Sequence, residues 1–365
     1  MTALSASPAF RRLPAGRLVV YAIVAVIGVV LALAPFLLHG NVRGIDVAAR
    51  ICIFVVLVAS YDLLIGYTGI VSFAHTMFFG LGAYGTAIAL KAMGPGFSAI
   101  LAGGAAGVAC ALVLAVLIGL LSLRVKAIFF AMVTLAAASV MLVLASQLSD
   151  ITGGEDGLIY EIPRFFSPAT KLLTGADGKV ATLFGVPLNG RVALYYFVFL
   201  SALVLFLVMV RIVRSPLGTV LEAIRENETR AEAIGYRVVA YRTAIFCLAA
   251  VIAALAGILR AVWLKYAGPE AVLSFAIMID ILLMVVIGGM GTMIGAIIGV
   301  VIMSLAQFYL KDLMQAAADA TSLPLVPDLL NPDRWLLWLG LLFILLVYFF
   351  PAGIAGTLLG KGGHK

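Results

Sequence analysis

Charged residues are scarce in this chain, and their scarcity decides its class. Only 11% of the 365 residues are Asp, Glu, Lys or Arg, whereas 64% are hydrophobic. Soluble domains are about 25% charged, so this composition excludes an ordinary soluble protein and indicates one that crosses a membrane many times. Each span takes about 20 residues, so little chain remains for a soluble catalytic domain.

Several chemical motifs are missing as well. The sequence has no Gly-x-x-x-x-Gly-Lys-Ser/Thr phosphate loop, so the chain does not bind ATP by that route. The three cysteines, Cys52, Cys110 and Cys247, stand at unrelated spacings in apolar runs and favour neither a disulfide framework nor a zinc site. No nucleophile or metal constellation is visible, so we expect no enzyme and no bound cofactor. The net charge of +7 fits the cytoplasmic Lys and Arg of a membrane protein better than nucleic-acid binding.

The apolar runs predict an all-α polytopic bundle of about ten transmembrane helices. We place the runs at 18–38, 49–66, 72–92, 97–122, 127–148, 192–211, 241–263, 272–289, 291–310 and 335–351. The first run is too long for a signal peptide and is expected to be a retained helix. Residues 1–365 are interpreted as a single transmembrane domain.

Arginine clusters indicate the orientation of this bundle. An even number of spans places both termini and the loop 211–242 on one side. Thirteen Lys and Arg fall on that side against eleven on the other, so we rely on the clusters at 11–17 and 211–242, which favour the cytoplasm. The acidic, Gly-rich loop 149–191 and the loop 311–333 are then external and are candidate docking surfaces.

Residues 66–75, GYTGIVSFAH, interrupt an apolar run with small and polar side chains. Backbone without helix is tolerated at membrane depth only inside protein or beside a cavity, so we predict a broken or re-entrant helix here. Candidates for lining a translocation path are therefore Gly66, Thr68, Gly69, Ser72 and His75.

Two carboxylates complete the list of path candidates. The count of loop charges leaves Asp62 and Asp280 inside predicted spans, where an ionisable group is costly and points to function. Pairing of Asp62 or Asp280 with His75, or of Asp280 with a basic group on a neighbouring helix, is an equally good structural explanation.

The stretch 211–242 is the only long run of mixed charge, with six Arg and four Glu. Ser215 before Pro216 predicts a helix start, and Gly235 predicts its end. Glu226 and Arg230 have the spacing of an i,i+4 ion pair. Such a helix belongs in water and is expected to face a partner, although a merely solvated helix fits the same charges.

Glycines at intervals of four predict close helix packing rather than a pore lining. One set is Gly291, Gly295 and Gly299, expected on one helix face. The other is Gly103 and Gly107.

Four sequence blocks occur in an order typical of one transporter family. They are GYTGIVSFAHTMFFGLGAYGTAI at 66–88, GGEDGL at 153–158, RSPLGTVLEAIRENETRAEAIGYRV at 214–238 and ILLMVVIGGMGTMIGAIIGVVI at 281–302. With these blocks the chain resembles the permease subunits of branched-chain amino-acid ABC importers, in particular the longer permease of each pair. Asp62 and Asp280 depart from the residues usual in that family.

The resemblance implies a coupling role for the loop 211–242. The residues implied are Arg225, Glu226, Asn227, Glu228, Arg230, Glu232 and Gly235. It also implies that this chain holds no cofactor and that partner subunits bind ATP. The implied partners are two ATP-binding cassette subunits, a shorter permease and a periplasmic solute-binding protein, and the implied location is the bacterial inner membrane with both termini cytoplasmic.

Two alternatives remain open. The same machine in related systems carries urea, short amides or aromatic acids, and a permease sequence does not decide the cargo. From another class, an ion-coupled secondary transporter also needs many spans, but it gives no reason for a coupling loop and is expected to carry more intramembrane carboxylates than Asp62 and Asp280.

Overall fold

Long apolar helices form most of the chain in its computed structural model, which describes residues 15–38, 41–122, 127–170, 182–183, 186–187, 189–319 and 334–359. The ten long helices of this part are α1 (Ala15–Leu37), α2 (Val42–Thr68), α3 (His75–Met93), α4 (Phe97–Ser122), α5 (Ala127–Gln147), α7 (Gly190–Val213), α10 (Val238–Leu264), α12 (Phe275–Gly288), α13 (Met293–Asp319) and α14 (Trp335–Phe349). The short ones are α6 (Ser149–Thr152), α8 (Pro216–Glu226), α9 (Glu228–Ala233), α11 (Pro269–Val272) and α15 (Gly353–Leu358).

The described strands are short and lie in connections. β1 (Leu158–Ile159) pairs antiparallel with β4 (Tyr266–Ala267), and β2 (Thr182–Leu183) pairs with β3 (Val186–Pro187). Because β1 follows α6 and β4 follows α10, the first pair fastens the predicted external loop to the end of α10. Residues 171–181 of that loop, and most of the loop 311–333, lie outside the described residues.

Nine stretches of the described chain are long and apolar enough to cross a membrane. They match nine of the ten predicted spans, which confirms a polytopic helical bundle. The tenth, predicted at 72–92, is α3, which is helical but does not have the apolar composition of a span. Since α3 packs against α4 and α10 and is mostly buried, it has little contact with lipid and needs less hydrocarbon on its surface.

Small residues allow α3 to lie against its neighbours. A Cβ on Gly82 would overlap the backbone of Ala254 in α10, and Gly85 approaches Gly103 and Gly107 in α4 in the same way. The predicted packing role of Gly103 and Gly107 is thus confirmed. It follows that α3 approaches α4 and α10 closely enough for backbone contact, in addition to the packing of its buried Phe78 and Phe79 rings.

The prediction for the other glycine set is only partly correct. Gly295 and Gly299 of α13 do pack against α12, at Gly288 and Met284. Gly291, however, lies in the turn before α13, with φ +73°, and not on the helix face.

The loop 211–242 folds as two helices rather than the single helix expected. α8 ends at Glu226, and Asn227 caps α9 by accepting a hydrogen bond from the Arg230 amide at 2.9 Å. Glu226 and Arg230 therefore belong to different helices, and the predicted i,i+4 pair along one helix is wrong. Instead, Glu228 pairs with Arg242 of α10 at 2.7 Å.

The predicted start and end of the helical segment in 211–242 agree with the structure more closely than its predicted interior does. α8 begins at Pro216, as expected, but the Ser215 hydroxyl donates to the Ile212 carbonyl instead of capping the helix. Gly235, with φ +96°, follows the last turn of α9, where the left-handed region that favours glycine ends a helix.

The two ends of the bundle have different contents. One end, which we call the α8 end, brings α8 together with the last turn of α2, the α12–α13 turn and α15. Val20 of α1 packs there beside Ala355 of α15, so the first and last described helices meet at this end. The opposite end, the β1 end, holds the β1–β4 pair and the ion pair of Arg191 with Asp46.

Candidate functional site

The predicted break after α2 is present. Helix α2 ends at Thr68, whose hydroxyl donates to the Leu64 carbonyl, and Gly69 takes the left-handed conformation at φ +71°. Residues 70–74 are not helical, and α3 begins at His75. Most of this stretch is buried, which fits irregular backbone enclosed in protein.

The chain turns back along α2 after this break. The His75 Nε2 lies 2.8 Å from the Ser60 Oγ, and its ring packs edge-on against Tyr61. Ser60 precedes the end of α2 by eight residues, or about 12 Å of helix. The segment is therefore re-entrant, and His75 bonds Ser60 rather than Asp62 or Asp280.

A second break, which the sequence analysis missed, meets the first. The apolar stretch 269–288 is interrupted at Leu273 and Ser274, and the Ser274 side chain caps α12 by accepting from the Ala276 amide. The rings of Phe73 and Phe275, one from each break, lie 6.1 Å apart. The only local sequence signal for this second break was Ser274, a lone polar residue in a nearly unbroken apolar run.

Three elements are joined near the α8 end by what we call the α8 junction: Asp62, Gly66, Gly69, Arg225 and Gly291. An oxygen of Asp62 accepts a hydrogen bond from the Gly291 amide at 2.8 Å. The Nη1 of Arg225 donates to the Gly66 carbonyl, and the Arg225 stem passes beside Gly69. The junction thus connects α8, the end of α2 and the α12–α13 turn.

Glycine is needed at two of these positions. A Cβ on Gly66 would overlap both the Asp62 carboxylate and the Gly291 amide. Gly291 has φ +73°, and a Cβ there would come within 2.9 Å of the Arg225 guanidinium. The backbone of α2 and the backbone of the α12–α13 turn can therefore be in contact only because neither Gly66 nor Gly291 carries a side chain.

A cavity of about 540 Å³ adjoins the junction on its α8 side. Its lining includes Glu222, Arg225 and Glu226 of α8, together with Met290 and Gly353. Helix α8 buries Gly218, Leu221 and Ile224 against the bundle, which leaves its acidic residues on the exposed face. This arrangement forms a polar recess between the loop helices and the bundle.

The sequence-predicted coupling residues fall into two groups. Arg225 and Glu226 adjoin the junction or its cavity. The others lie further along the loop, exposed, on or beside α9: Asn227, Glu228, Arg230, Glu232 and Gly235.

The path candidates are likewise separated. Asp62, Gly66 and Gly69 belong to the α8 junction. Ser72 accepts a hydrogen bond from the Ala74 amide within the break after α2. Asp280 lies apart from all of these.

Asp280 belongs to a second polar group, which we call the arginine cluster: Arg50, Arg260, Asp280 and Gln307. The Arg50 Nη2 donates to the Gln307 Oε1 at 2.8 Å, and Asp280 interacts with both Gln307 and the charge of Arg50. The basic group on a neighbouring helix whose charge acts on Asp280 is Arg50 of α2, although the two are not among the ion pairs of the described residues.

Sequence counting treated Arg50 and Arg260 as loop residues, and this was wrong. Both lie within long apolar helices, α2 and α10. The signal was available, because each arginine already stood inside a predicted run. Gln307 carries no charge and was not considered.

The described part of the predicted external loop is folded against the β1 end. The Tyr160 hydroxyl donates to the Ala261 carbonyl at 3.0 Å, and burial raises the pKa of Tyr160. Among the residues that the structure describes, no three His, Cys, Asp or Glu side chains are grouped to hold a metal ion.

Comparison with known proteins identifies related chains. The family model for the permease component of branched-chain amino acid transport systems matches residues 43–350. The high-affinity branched-chain amino acid transport system permease protein LivM of Salmonella typhimurium is 30% identical over 288 residues, 76% of this chain and 65% of that relative. LivM of Escherichia coli K12 is 30% identical over 294 residues, 78% of this chain and 67% of that relative.

A more distant relative has a similar name. The probable branched-chain amino acid transport permease protein LivM of Methanocaldococcus jannaschii is 24% identical over 235 residues, 64% of this chain and 61% of that relative. The chain spans about two thirds of the length of these curated relatives. No solved structure matches it. Since the family model covers most of the sequence, the chain belongs to the family of permease components of branched-chain amino acid transport systems.

Proposed function

We propose that this chain is the membrane-spanning permease subunit of an ATP-driven importer for branched-chain or related amino acids. Membership of the permease family and the names of the relatives support this proposal. So does the bundle itself, which offers many apolar helices and two broken segments that meet. Broken helices in such bundles supply backbone groups to a substrate path.

One observation carries the proposal, the bond from Arg225 of α8 to the Gly66 carbonyl beside the first break. Through Gly66 and Asp62 the same contact reaches the Gly291 amide of the α12–α13 turn. A push on α8 would therefore move the ends of α2 and α12 together. These are the two helices that adjoin the broken segments.

The mechanism is alternating access with the energy supplied by other subunits. Two ATP-binding cassette subunits bind ATP and dock on the exposed faces of α8 and α9. Their closure displaces α8, and the α8 junction transmits the displacement to α2 and α12, which tilt and open the path to the other side. This chain contributes no ATP site.

The remaining partners and the orientation follow from the same scheme. The chain pairs with a shorter permease and receives cargo from a periplasmic solute-binding protein at the β1 end. It lies in the bacterial inner membrane, with the α8 end and both termini in the cytoplasm. The arginines of the loop 211–242 agree with this orientation.

The cargo is tested on the solute-binding protein of the same system. We expect it to bind leucine, isoleucine or valine tightly in calorimetric titration. Binding of urea or of benzoate instead would keep the machine and replace the proposed cargo class.

Docking of the ATPase is tested by removing two charges from the exposed loop helices, Glu226→Ala with Arg230→Ala. We expect less ATPase subunit to co-purify with the permease and slower uptake. The matched control for co-purification is Glu155→Ala with Arg164→Ala, an exposed acid and base at the β1 end, away from the proposed ATPase surface. Equal co-purification and uptake with and without Glu226 and Arg230 would contradict the docking role.

A further inference from the structure

The arginine cluster has more positive than negative charge inside the bundle. Arg50 and Arg260 both lie within apolar helices, and the Arg260 guanidinium is near enough to Arg50 for their charges to repel. The carboxylate within the bundle that attracts Arg50 is Asp280. Asp46 also attracts Arg260, but it already forms a 2.9 Å ion pair with Arg191. The cluster is thus one anion short of balance.

The two guanidiniums also retain unused donors. The Nε atoms of Arg50 and Arg260 are buried and have no hydrogen-bond partner among the described residues. A buried N–H without a partner costs free energy, and more so when the group is charged. A ligand that accepts hydrogen bonds and carries a negative charge would remove both costs.

Packing holds Arg50 in a fixed orientation. Its guanidinium carbon lies 4.9 Å from the ring centroid of Phe54 and 5.0 Å from that of Phe308, so the group is in contact with two aromatic rings. Gln307 fixes one of its nitrogens. A guanidinium held in this way is preorganised for the planar, two-oxygen geometry of a carboxylate.

The cluster is accessible from one side. Asp280 is only half-buried, as are Arg50, Arg260 and Gln307. Ile277 and Leu283, three residues before and after Asp280 and so on the same face of α12, are half-buried apolar residues. A small molecule that reaches this face meets a carboxylate and apolar side chains together, with the arginines of α2 and α10 beyond. Those are the features that a zwitterion with a hydrocarbon side chain requires.

We propose that Arg50, Arg260, Gln307 and Asp280 form a binding site in the translocation path for the α-carboxylate and α-ammonium groups of an amino acid. The guanidiniums take the carboxylate, and Asp280 takes the ammonium. Apolar residues on the same face of α12 as Asp280 accommodate the side chain. This inference rests on the proposed function, since it assigns a resting position to the cargo of the importer.

The first test measures leucine uptake and ATP hydrolysis by the intact importer in lipid vesicles. We expect Arg260→Gln to lower uptake at least about tenfold, because the carboxylate loses a charged donor. Arg260→Lys keeps the positive charge but loses the paired N–H donors of the guanidinium, and should give an intermediate uptake rate. Subunit yield should stay unchanged in both, which separates a transport defect from a folding defect. The matched control is Arg43→Gln, which removes an exposed arginine from the same end of the bundle.

The second test measures binding without transport, through the melting temperature of the purified importer. Leucine should raise it, whereas leucinol, which has the same side chain and amine but no carboxylate, should not. The shift should disappear in Arg260→Gln. An Arg260-dependent shift with phosphatidylglycerol and none with leucine would assign the site to a lipid phosphate and overturn the proposal.

These experiments distinguish failure of the proposed function from failure of the proposed binding site. If the wild-type importer takes up no branched-chain amino acid, the proposed function fails. If the wild type transports leucine and Arg260→Gln transports it at the same rate, the function stands and this inference alone is wrong.

Discussion

The α8 junction and the arginine cluster are both polar, but the junction uses backbone groups as hydrogen-bond partners and the cluster uses side chains. At the junction, a carboxylate and a guanidinium bind backbone groups of Gly66 and Gly291, and the glycines leave no space for a side chain. In the cluster, Arg50 and Gln307 meet through long side chains from separate helices. The contacts of the junction involve backbone atoms with no room between them, whereas the cluster presents side-chain donors that have no partner among the described residues. The first design suits the transmission of movement, and the second suits a site that must bind and release.

The largest effect is expected where the junction leaves no space. Gly66→Ala places a Cβ against Asp62 and Gly291 and should destabilise the fold by at least about 2 kcal/mol, since overpacking commonly costs about 1–3 kcal/mol. The melting temperature of the purified chain measures it. Gly28→Ala is the control, because a Cβ there meets nothing within 4 Å. An unchanged melting temperature for Gly66→Ala would show that α2 and the α12–α13 turn can separate enough to accommodate a Cβ, and would contradict the tight contact.

A smaller effect is expected at the carboxylate of the junction. Asp62→Ala leaves the buried Gly291 amide without its acceptor and should cost about 1–3 kcal/mol. Asp62→Asn keeps an acceptor oxygen and should cost less. Both are compared by thermal unfolding and by uptake. If Asn were as damaging as Ala, the negative charge rather than the hydrogen bond to Gly291 would be the important feature.

The smallest effect should come from an exposed ion pair at the β1 end. Arg43 and Asp312 lie 2.9 Å apart, but both side chains are mostly in solvent. Arg43→Gln should change the unfolding free energy by less than about 1 kcal/mol, since such pairs contribute little. Arg50→Gln, seven positions away in sequence but inside the bundle, should change the unfolding free energy more. Similar melting temperatures for the two variants would remove the distinction between the cluster and the surface.

Local signals predicted part of this architecture. The Gly and polar residues of 66–75 predicted the first break, and the charges of 211–242 predicted a helix outside the apolar bundle. The break at Asn227 was missed, although Asn is a strong helix cap, because the pattern of Glu226 and Arg230 suggested a continuous helix. Local chemistry therefore located these segments better than it described their interiors.

Long-range pairing was beyond the sequence. The partners Asp62 and Gly291 are 229 positions apart, and Arg50 and Gln307 are 257 apart. Nothing in the spacing of a single chain indicates which distant polar group a residue meets. Each member was visible as a polar residue in an apolar run, and only the packing of α2 against α12 and α13 brings them together.

The proposed coupling role of Arg225 is tested most directly by the ratio of leucine imported to ATP hydrolysed. In vesicles containing the intact importer, Arg225→Ala should keep ATP hydrolysis and lower this ratio about tenfold, within the range typical of coupling free energies. Arg237→Ala, an exposed arginine of the same loop, should leave the ratio unchanged. An unchanged ratio in Arg225→Ala would contradict transmission through the α8 junction.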